Sequence, residues 1–332
     1  MSASPTRLVD VHHHIFPSSL PKQSISRSLG FRTPPSHLPW TPSISLRAMD
    51  ALGVELALLS IPPGHFSDAR AVNEQMRETC MHHPGRFAFW GCAGDLRDTK
   101  GALELIKYAM DDLEAVGIAI SSVYGKGAEA KYIGDNLFDP IWEELDRRKA
   151  VIFLHGAQTP SSTPFPSELL GIPITEVPNE TFKAITHLIV TGKTRRFRNL
   201  AFVLAHMGGS TLVLAPRAAA LSRYMGSRLS ESEIMDELKR CCWWDSALST
   251  GAGPLGAVEA CGVGERVLWG SDFPAVPLET IRWFEGNLKS FYATRAAADD
   301  IGHKRLRGIY RDNVLSLFAS RGVDLFHFTT GK

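Results

Sequence analysis

Cysteine is scarce in this sequence and follows no organising pattern. The 332 residues include five cysteines, an odd number, without a CxxC pair. They make no disulfide framework, so we expect a protein of a reducing compartment, the cytosol. Long hydrophobic runs are missing too, since segments such as 151–154 and 200–205 are far shorter than the roughly 18 residues of a membrane span. Residues 1–10 lack the apolar segment of a secretory signal, and we expect no membrane partner.

An excess of charge of either sign is also missing. Lysine and arginine number 36 against 35 aspartates and glutamates, which gives a net charge of +1. There is no basic face for a phosphate backbone and no acidic tail, so we expect no nucleic-acid partner. The hydrophobic fraction of 44% is enough to bury a full core, which argues against disorder.

What the sequence does contain is a regular alternation of short β-rich segments with helical patterns. Eight strands are predicted, at 8–15, 56–61, 87–93, 117–121, 151–155, 200–206, 242–247 and 267–272. Helices are predicted between them at 45–52, 68–82, 102–113, 140–148 and 182–191, and a helical tail at 278–318. Eight parallel βα units close into a (β/α)8 TIM barrel. We expect residues 1–332 to form one such domain, with the tail covering its outside and the site at the carboxyl ends of the strands.

Two proline- and serine-rich stretches interrupt this rhythm. Residues 17–42 follow the first strand and residues 158–179 follow the fifth. Loops at the carboxyl ends of barrel strands are expected to cover a site, although simple surface decoration is the alternative interpretation.

Histidines cluster at the end of the first strand. Because strand side chains alternate between faces, Asp10, His12 and His14 are predicted to point one way and His13 the other. Two imidazoles at i and i+2 can hold a metal from one side. Taken alone, an HxH pair is more often structural or on the surface.

Three further apolar strands end in a polar residue, namely His155, His206 and Asp272. A single buried histidine is most often a satisfied core residue. Four strands ending alike at one barrel face instead form a constellation that favours metal binding. Three imidazoles and one carboxylate suit one divalent ion, Zn²⁺, with Mn²⁺ or Fe²⁺ as alternatives, and leave a position open for water or substrate.

These motifs make the sequence resemble the amidohydrolase superfamily, in the branch that includes aminocarboxymuconate-semialdehyde decarboxylase and the ortho-hydroxybenzoate decarboxylases. The resemblance covers nearly the whole chain and rests on Asp10–His14, His155, Leu204–Gly209, Trp269–Pro274 and the helical segment 180–192. It implies that the metal is held by His12, His14, His155 and Asp272. It implies that His206 is catalytic and lies beside the metal.

Two departures refine this resemblance. The two-metal hydrolases of the superfamily carry a carboxylated lysine at the end of strand four, where this sequence has Ile118–Ser122 and places Lys126 in the loop beyond. A single metal is therefore favoured. Several aromatic-acid decarboxylases replace the HxH pair with Glu-x-Ala, whereas this chain keeps it. The sequence is thus more similar to the aminocarboxymuconate type and to fungal 6-methylsalicylate decarboxylases than to the dihydroxybenzoate type.

The resemblance implies nonoxidative decarboxylation of a small ortho-hydroxybenzoate, without an organic cofactor. Asp272 would shuttle a proton from the phenol to the ring carbon that bears the carboxylate. His206 would bind the substrate carboxylate or a water, and Asp245 could orient His206. The main alternative is a lactonase or amidase that uses the same ligands to activate water. A metal-stabilised scaffold without catalysis is the remaining interpretation.

An aromatic substrate calls for an aromatic pocket. The candidates near strand ends and covering loops are Phe16, Trp40, Trp90, Phe165, Trp243 and Phe273, although any one of them taken singly is more often core packing. Arg217 resembles the carboxylate-binding arginine of the family, with a solvated helix arginine as the alternative. We expect a small aromatic carboxylate and a second copy of the chain, in a homodimer, as partners.

Overall fold

A computed structural model describes residues 7–17, 25–26, 30–64, 68–157, 166–167, 169–294 and 301–329. Within these ranges no helix is both long and apolar enough to cross a bilayer.

The fold is built around eight parallel strands that follow chain order. They are β1 (Leu8–His14), β2 (Val54–Ser60), β3 (Phe87–Cys92), β4 (Gly117–Ser121), β5 (Val151–His155), β6 (Ala201–Leu204), β7 (Cys242–Asp245) and β8 (Val267–Leu268). Each strand pairs with the next one along the chain. The predicted (β/α)8 barrel is confirmed.

The barrel closes between β1 and the segment that follows β8. The Val11 amide donates to the Trp269 carbonyl at 3.0 Å. Two further bonds lie nearer the carboxyl end of β1. The Asp272 amide donates to the His12 carbonyl at 2.9 Å, and the His14 amide donates to the Phe273 carbonyl at 2.7 Å. These bonds place the chain around Asp272 beside His12 and His14 of β1.

Helices surround the strands. They are α1 (Pro42–Leu52), α2 (Ala69–His82), α3 (Thr99–Lys107), α4 (Asp139–Arg147), α5 (Ile172–Val190), α6 (Lys193–Arg196), α7 (Thr211–Tyr224), α8 (Glu231–Cys241), α9 (Ala252–Ala260), α10 (Leu278–Ala293), α11 (Ile301–Arg307) and α12 (Asn313–Ala319). Helical periodicity explains their packing, as in α4, where Ile141, Trp142 and Leu145 form the buried face. Two short antiparallel pairs, Ile25–Ser26 with Phe31–Arg32 and Val123–Tyr124 with Lys131–Tyr132, lie outside the barrel sheet.

The main difference from the predicted elements concerns α5. It begins at Ile172, ten residues before the predicted start at 182, so part of the proline-rich stretch 158–179 is helical. Pro173 lies in the first turn, where a missing amide hydrogen costs nothing, and Pro178 is tolerated inside the helix. Helix α3 ends earlier than predicted, at Lys107, and a π-helical turn continues to Asp112.

Candidate metal centre and active site

The histidine run of β1 divides its side chains between the barrel interior and the helix outside it. The register between β1 and β2 shifts between Asp10 and His13. His12 Nε2 and His14 Nε2 lie 3.1 Å apart, while His13 bonds outward to Ser45 Oγ of α1 at 2.8 Å. The Asp10 carboxylate lies 3.0 Å from His13 Nδ1. The alternation predicted from the sequence therefore separates His13 from the other two histidines as expected, but Asp10 pairs with His13.

The polar residues predicted at the strand ends meet at one point. Asp272 Oδ1 lies 3.5 Å from His12 Nε2 and 3.4 Å from His14 Nε2. Ring nitrogens of His12, His155 and His206 lie within 4.8 Å of one another. All five side chains are buried. The structure thus brings His12, His14, His155, His206 and Asp272 into one cluster, the polar cluster.

Each imidazole of the polar cluster is oriented through its Nδ1 atom. The partners are Asp245 Oδ2 for His12 at 2.6 Å, Ser60 Oγ for His14 at 3.0 Å, the Gly156 carbonyl for His155 at 2.9 Å and the Ala247 carbonyl for His206 at 3.1 Å. Such partners fix the ring and its tautomer. Asp245 therefore orients His12, whereas the sequence had suggested that it would orient His206.

The donor set fits a divalent metal ion. His155 Nε2 is buried and has no hydrogen-bond partner among the described residues. A buried unpaired nitrogen costs free energy unless something binds it. Together with two further imidazoles and a carboxylate, it forms the N and O ligand set that zinc and related ions accept. The polar cluster can therefore hold a metal.

Burial favours the neutral form of three imidazoles of the polar cluster, those of His12, His155 and His206. Desolvation lowers the pKa of His12 and His155 well below its usual value, and neighbouring imidazoles lower both further. Desolvation also lowers the pKa of His206, which Asp245 opposes. Burial raises the pKa of Asp245 to about 7 against the opposing effect of His206. Neutral imidazoles keep the nitrogen lone pair that a metal needs.

Two members of the polar cluster lie beyond their strands, in turns with unusual backbone. Strands β6 and β8 end at Leu204 and Leu268, earlier than predicted. His206 and Asp272 have φ angles of 55° and 59°, in the left-handed region. This conformation costs a non-glycine residue roughly 1–2 kcal/mol. Such strain concentrates at functional sites, where the surrounding structure holds it.

A cavity of about 370 Å³ opens above the polar cluster. His14, His155, His206 and Asp272 form its polar floor. Its walls are mainly apolar and include Phe16, Phe31, Ile174, Val177, Leu248, Val276 and Phe284. The arrangement suits a small planar molecule with an apolar ring and polar groups at one end.

Of the aromatic residues predicted to bind substrate, Phe16 lines this cavity. Trp90 is fully buried, donates to the Val11 carbonyl at 3.0 Å and stacks on Phe153 with ring centroids 5.5 Å apart. Trp40 donates to Ser45 Oγ at 3.0 Å. Phe273 packs against His13, with ring centroids 5.2 Å apart. Trp90, Trp40 and Phe273 are thus corrected to core positions, because their rings pack among buried side chains and do not line the cavity.

The other sequence candidates lie elsewhere. Trp243 stacks with Arg266 and lines a different cavity, and Phe165 lies outside the described residues. Arg217 is exposed on α7 and does not line the cavity of its own chain. Lys126 is exposed as expected of a loop residue, and no lysine lines the cavity within the described ranges.

Two aromatic lining residues were missed from the sequence. Phe31 belongs to the proline-rich stretch 17–42, which had been expected to cover the site without any residue being singled out. Phe284 lies on α10, in the tail expected outside the barrel. Neither position carries a local signal, because each reaches the cavity only through tertiary packing.

Comparison with known proteins agrees with the geometry. Residues 9–313 match the amidohydrolase family. The chain belongs to the amidohydrolase family. This amidohydrolase is 31% identical over 328 residues to a 6-methylsalicylic acid decarboxylase of Aspergillus aculeatus, covering 93% of this chain and 95% of that relative. It is also 31% identical over 294 residues to a 6-methylsalicylic acid decarboxylase of Penicillium expansum, covering 85% and 90%.

Solved structures extend the likeness to the fold. A dihydroxybenzoic acid decarboxylase of a Polaromonas species, with bound manganese and the inhibitor 2-nitroresorcinol, superposes with a TM-score of 0.76 at 18% identity. The match covers 95% of this amidohydrolase and 97% of that chain. At this identity the likeness supports the barrel fold alone.

Proposed function

We propose that this chain is a metal-dependent, nonoxidative decarboxylase of a small ortho-hydroxybenzoic acid, with 6-methylsalicylic acid as the first candidate substrate. The observation that carries the proposal is the polar cluster at the floor of an apolar cavity. Its support comes from relatives at 31% identity that are 6-methylsalicylic acid decarboxylases. A small aromatic carboxylate matches both the polar floor and the apolar walls.

One metal ion per chain would be held by His12, His14, His155 and Asp272. We favour Zn²⁺ because three imidazoles and a carboxylate are a ligand set that zinc binds well, with Mn²⁺ as the alternative. When bound, the ion supplies Lewis acidity that lowers the pKa of the substrate's ortho-hydroxyl group.

Asp272 moves the proton in this proposal. Its carboxylate accepts the phenolic proton and delivers it to the ring carbon that bears the carboxylate group. The electron pair of the carbon–carbon bond then restores the aromatic ring, CO2 leaves, and the phenolate takes up a proton from solvent. The left-handed backbone of Asp272 supports this role, because it turns the carboxylate toward the cavity floor.

His206 would bind the substrate carboxylate rather than the metal. Its Nδ1 is held by the Ala247 carbonyl, which leaves Nε2 for the cavity. A neutral imidazole with Nδ1 protonated presents a lone pair at Nε2. Because Nε2 and the carboxylate are then both acceptors, a hydrogen must lie between them. It is supplied by a bridging water molecule or by a proton that Nε2 takes from the bound acid.

The substrate-binding role proposed for Arg217 requires a second copy of the chain, because this arginine is exposed outside the cavity of its own chain. Helix α7 also exposes Val213, Leu221 and Tyr224, at 70%, 46% and 85% of their surface. An apolar helix face of this kind supports a homodimer through α7.

All five cysteines are unpaired, which supports a reducing, cytosolic location.

The proposal is tested by incubating metal-defined enzyme with ortho-hydroxybenzoic acids, aryl esters and lactones, while CO2 and ring absorbance are followed together. We expect CO2 from 6-methylsalicylic acid and one deuterium at the vacated ring carbon in D2O. Asp272→Asn should lose about 10²-fold or more in turnover even when loaded with metal, the size expected for a lost acid–base group. His206→Asn should keep its metal and lose activity. Cleavage of esters or lactones without CO2 would replace the decarboxylase with a hydrolase.

A further inference from the structure

Leu248 lines the substrate cavity in a backbone conformation that leucine rarely adopts. Its φ angle is 49°, in the left-handed region, and its side chain is half-buried at the cavity wall. Glycine or asparagine occupies this region at lower cost, because a Cβ with a bulky branch crowds the backbone there. A leucine here is therefore locally unfavourable. A role for its side chain in the cavity would explain why leucine is present.

The turn around Leu248 is bonded to the polar cluster through one carbonyl and braced by its own hydrogen bonds. The preceding carbonyl, of Ala247, accepts the hydrogen bond from His206 Nδ1 at 3.1 Å. The Ala247 amide donates to Asp245 Oδ1 at 2.6 Å, and the Ser249 amide donates to the Ser246 carbonyl at 3.2 Å. These bonds fix the backbone of the turn. The direction in which the Leu248 side chain leaves the backbone, at the cavity wall, is consequently fixed.

Leu248 lines the same cavity as His206 and Asp272, which act on the reacting end of the substrate in the proposed function. Leu248 follows β7, and the strands on either side of β7 lead to His206 and Asp272. In the proposed reaction these two residues contact the carboxylate and the carbon that bears it. This neighbourhood would place Leu248 beside a ring position ortho to the carboxylate.

We propose that Leu248 is a specificity residue that selects an alkyl group over a hydroxyl group at the second ortho position of the substrate. This inference rests on the proposed decarboxylase function, in which the first ortho position carries the reacting hydroxyl. A methyl group gains apolar contact with the leucine, whereas a hydroxyl group there would place a polar atom against an apolar side chain. Contacts of one methyl group discriminate about 10-fold or more in enzyme pockets.

The test compares kcat/KM for 6-methylsalicylic acid and 2,6-dihydroxybenzoic acid in wild type, Leu248→Asn and Leu248→Met. Asparagine accepts the left-handed backbone and is polar, while methionine stays apolar. We expect the ratio in favour of the methyl compound to fall about 10-fold or more in the asparagine variant and to be largely kept in the methionine variant. Leu248→Gln is a second polar variant if the first does not purify as folded, metal-binding protein.

Lys149→Asn is the matched control. Lys149 has a φ angle of 53° and is exposed after α4, so this variant makes the same residue in the same backbone region away from the cavity. Its substrate ratio should equal that of wild type. An unchanged ratio in both polar variants of an active enzyme overturns the inference alone. Absence of CO2 from both acids with wild-type enzyme overturns the proposed function, and the inference with it.

Discussion

Replacing Asp245 with asparagine is expected to weaken metal binding through the tautomer of His12. Asp245 is fully buried, and its Oδ2 atom lies 2.6 Å from His12 Nδ1. The carboxylate accepts the Nδ1 proton and so leaves Nε2 free to ligate. In the variant, the asparagine oxygen can still accept from the Ala247 amide, as Oδ1 does now at 2.6 Å. The amide nitrogen then faces His12 Nδ1 with its own hydrogens, which favours the tautomer protonated on Nε2.

The expected loss follows from the contact that is removed. Removing the group that hydrogen-bonds the second ring nitrogen of a metal-binding histidine lowers metal affinity about 10- to 100-fold. Since a tenfold change corresponds to about 1.4 kcal/mol, the variant should bind its metal about 1.4–2.8 kcal/mol more weakly. Activity measured at limiting metal should fall in proportion. Saturating metal should restore part of it, because the proton-transfer residue Asp272 is unchanged.

The chain supplies a matched control in Asp10. It is also buried on a barrel strand and also bonds a histidine Nδ1 atom, that of His13 at 3.0 Å. Its Oδ1 atom accepts from the backbone amides of His12 and Ser271 at 3.1 and 3.0 Å, and an asparagine oxygen can keep both bonds. His13, however, turns its Nε2 atom to Ser45 outside the polar cluster. Asp10→Asn should therefore lower the melting temperature but leave metal affinity within about threefold of wild type, well short of the loss expected for an outer metal partner.

Metal affinity is measured by titration against a competing chelator, with the melting temperature recorded for each apo protein. Wild-type affinity in Asp245→Asn would refute the tautomer argument. So would an equal loss of affinity in Asp10→Asn, because the effect would then be a general consequence of removing a buried carboxylate.

Two other predictions concern packing and assembly. A Cβ on Gly156 would lie 1.9 Å from the Val177 carbonyl oxygen, so Gly156→Ala should push α5 away from His155 and destabilise by about 3 kcal/mol or more in denaturant unfolding. Gly253→Ala on α9, where a Cβ meets nothing within 4 Å, should instead stabilise by about 0.5–1 kcal/mol, and equal effects of the two variants would contradict the close approach. Val213→Glu on the exposed face of α7 should convert a dimeric enzyme to monomers, as measured by sedimentation. It should also raise KM as strongly as Arg217→Met does. A monomeric wild type would rule out the proposed assembly.

Local pattern was enough to predict the strands that carry the polar cluster. A parallel barrel strand is buried on both faces, so it reads as a short apolar run, and a polar residue at its end stands out. Val151–His155 and Gly117–Ser121 have the bounds that the pattern predicted. The same reasoning placed His12, His14, His155, His206 and Asp272 at one end of the barrel, because parallel strands share one direction.

Local sequence pattern did not predict the start of α5 or the ends of β6 and β8, where prolines or a left-handed turn occur. The start of α5 was missed because Pro173 and Pro178 are typical of loops, although the first turn of a helix accepts proline. His206 and Asp272 were assigned to strands that in fact end earlier, since a left-handed turn leaves no trace in hydrophobic periodicity.

The partners of each polar side chain depended on contacts distant in sequence. Asp245 and His12 are separated by 233 positions, and nothing near either residue indicates that they pair. Aromatic rings depended on tertiary contacts in the same way. Trp90 lies within β3 and fills the barrel, whereas Phe16 follows β1 and lines the cavity. The sequence encodes the direction and burial of each strand locally, because these depend on a residue's own polarity and neighbours. Which side chains meet across the barrel depends on closure of the sheet, which only the assembled fold provides.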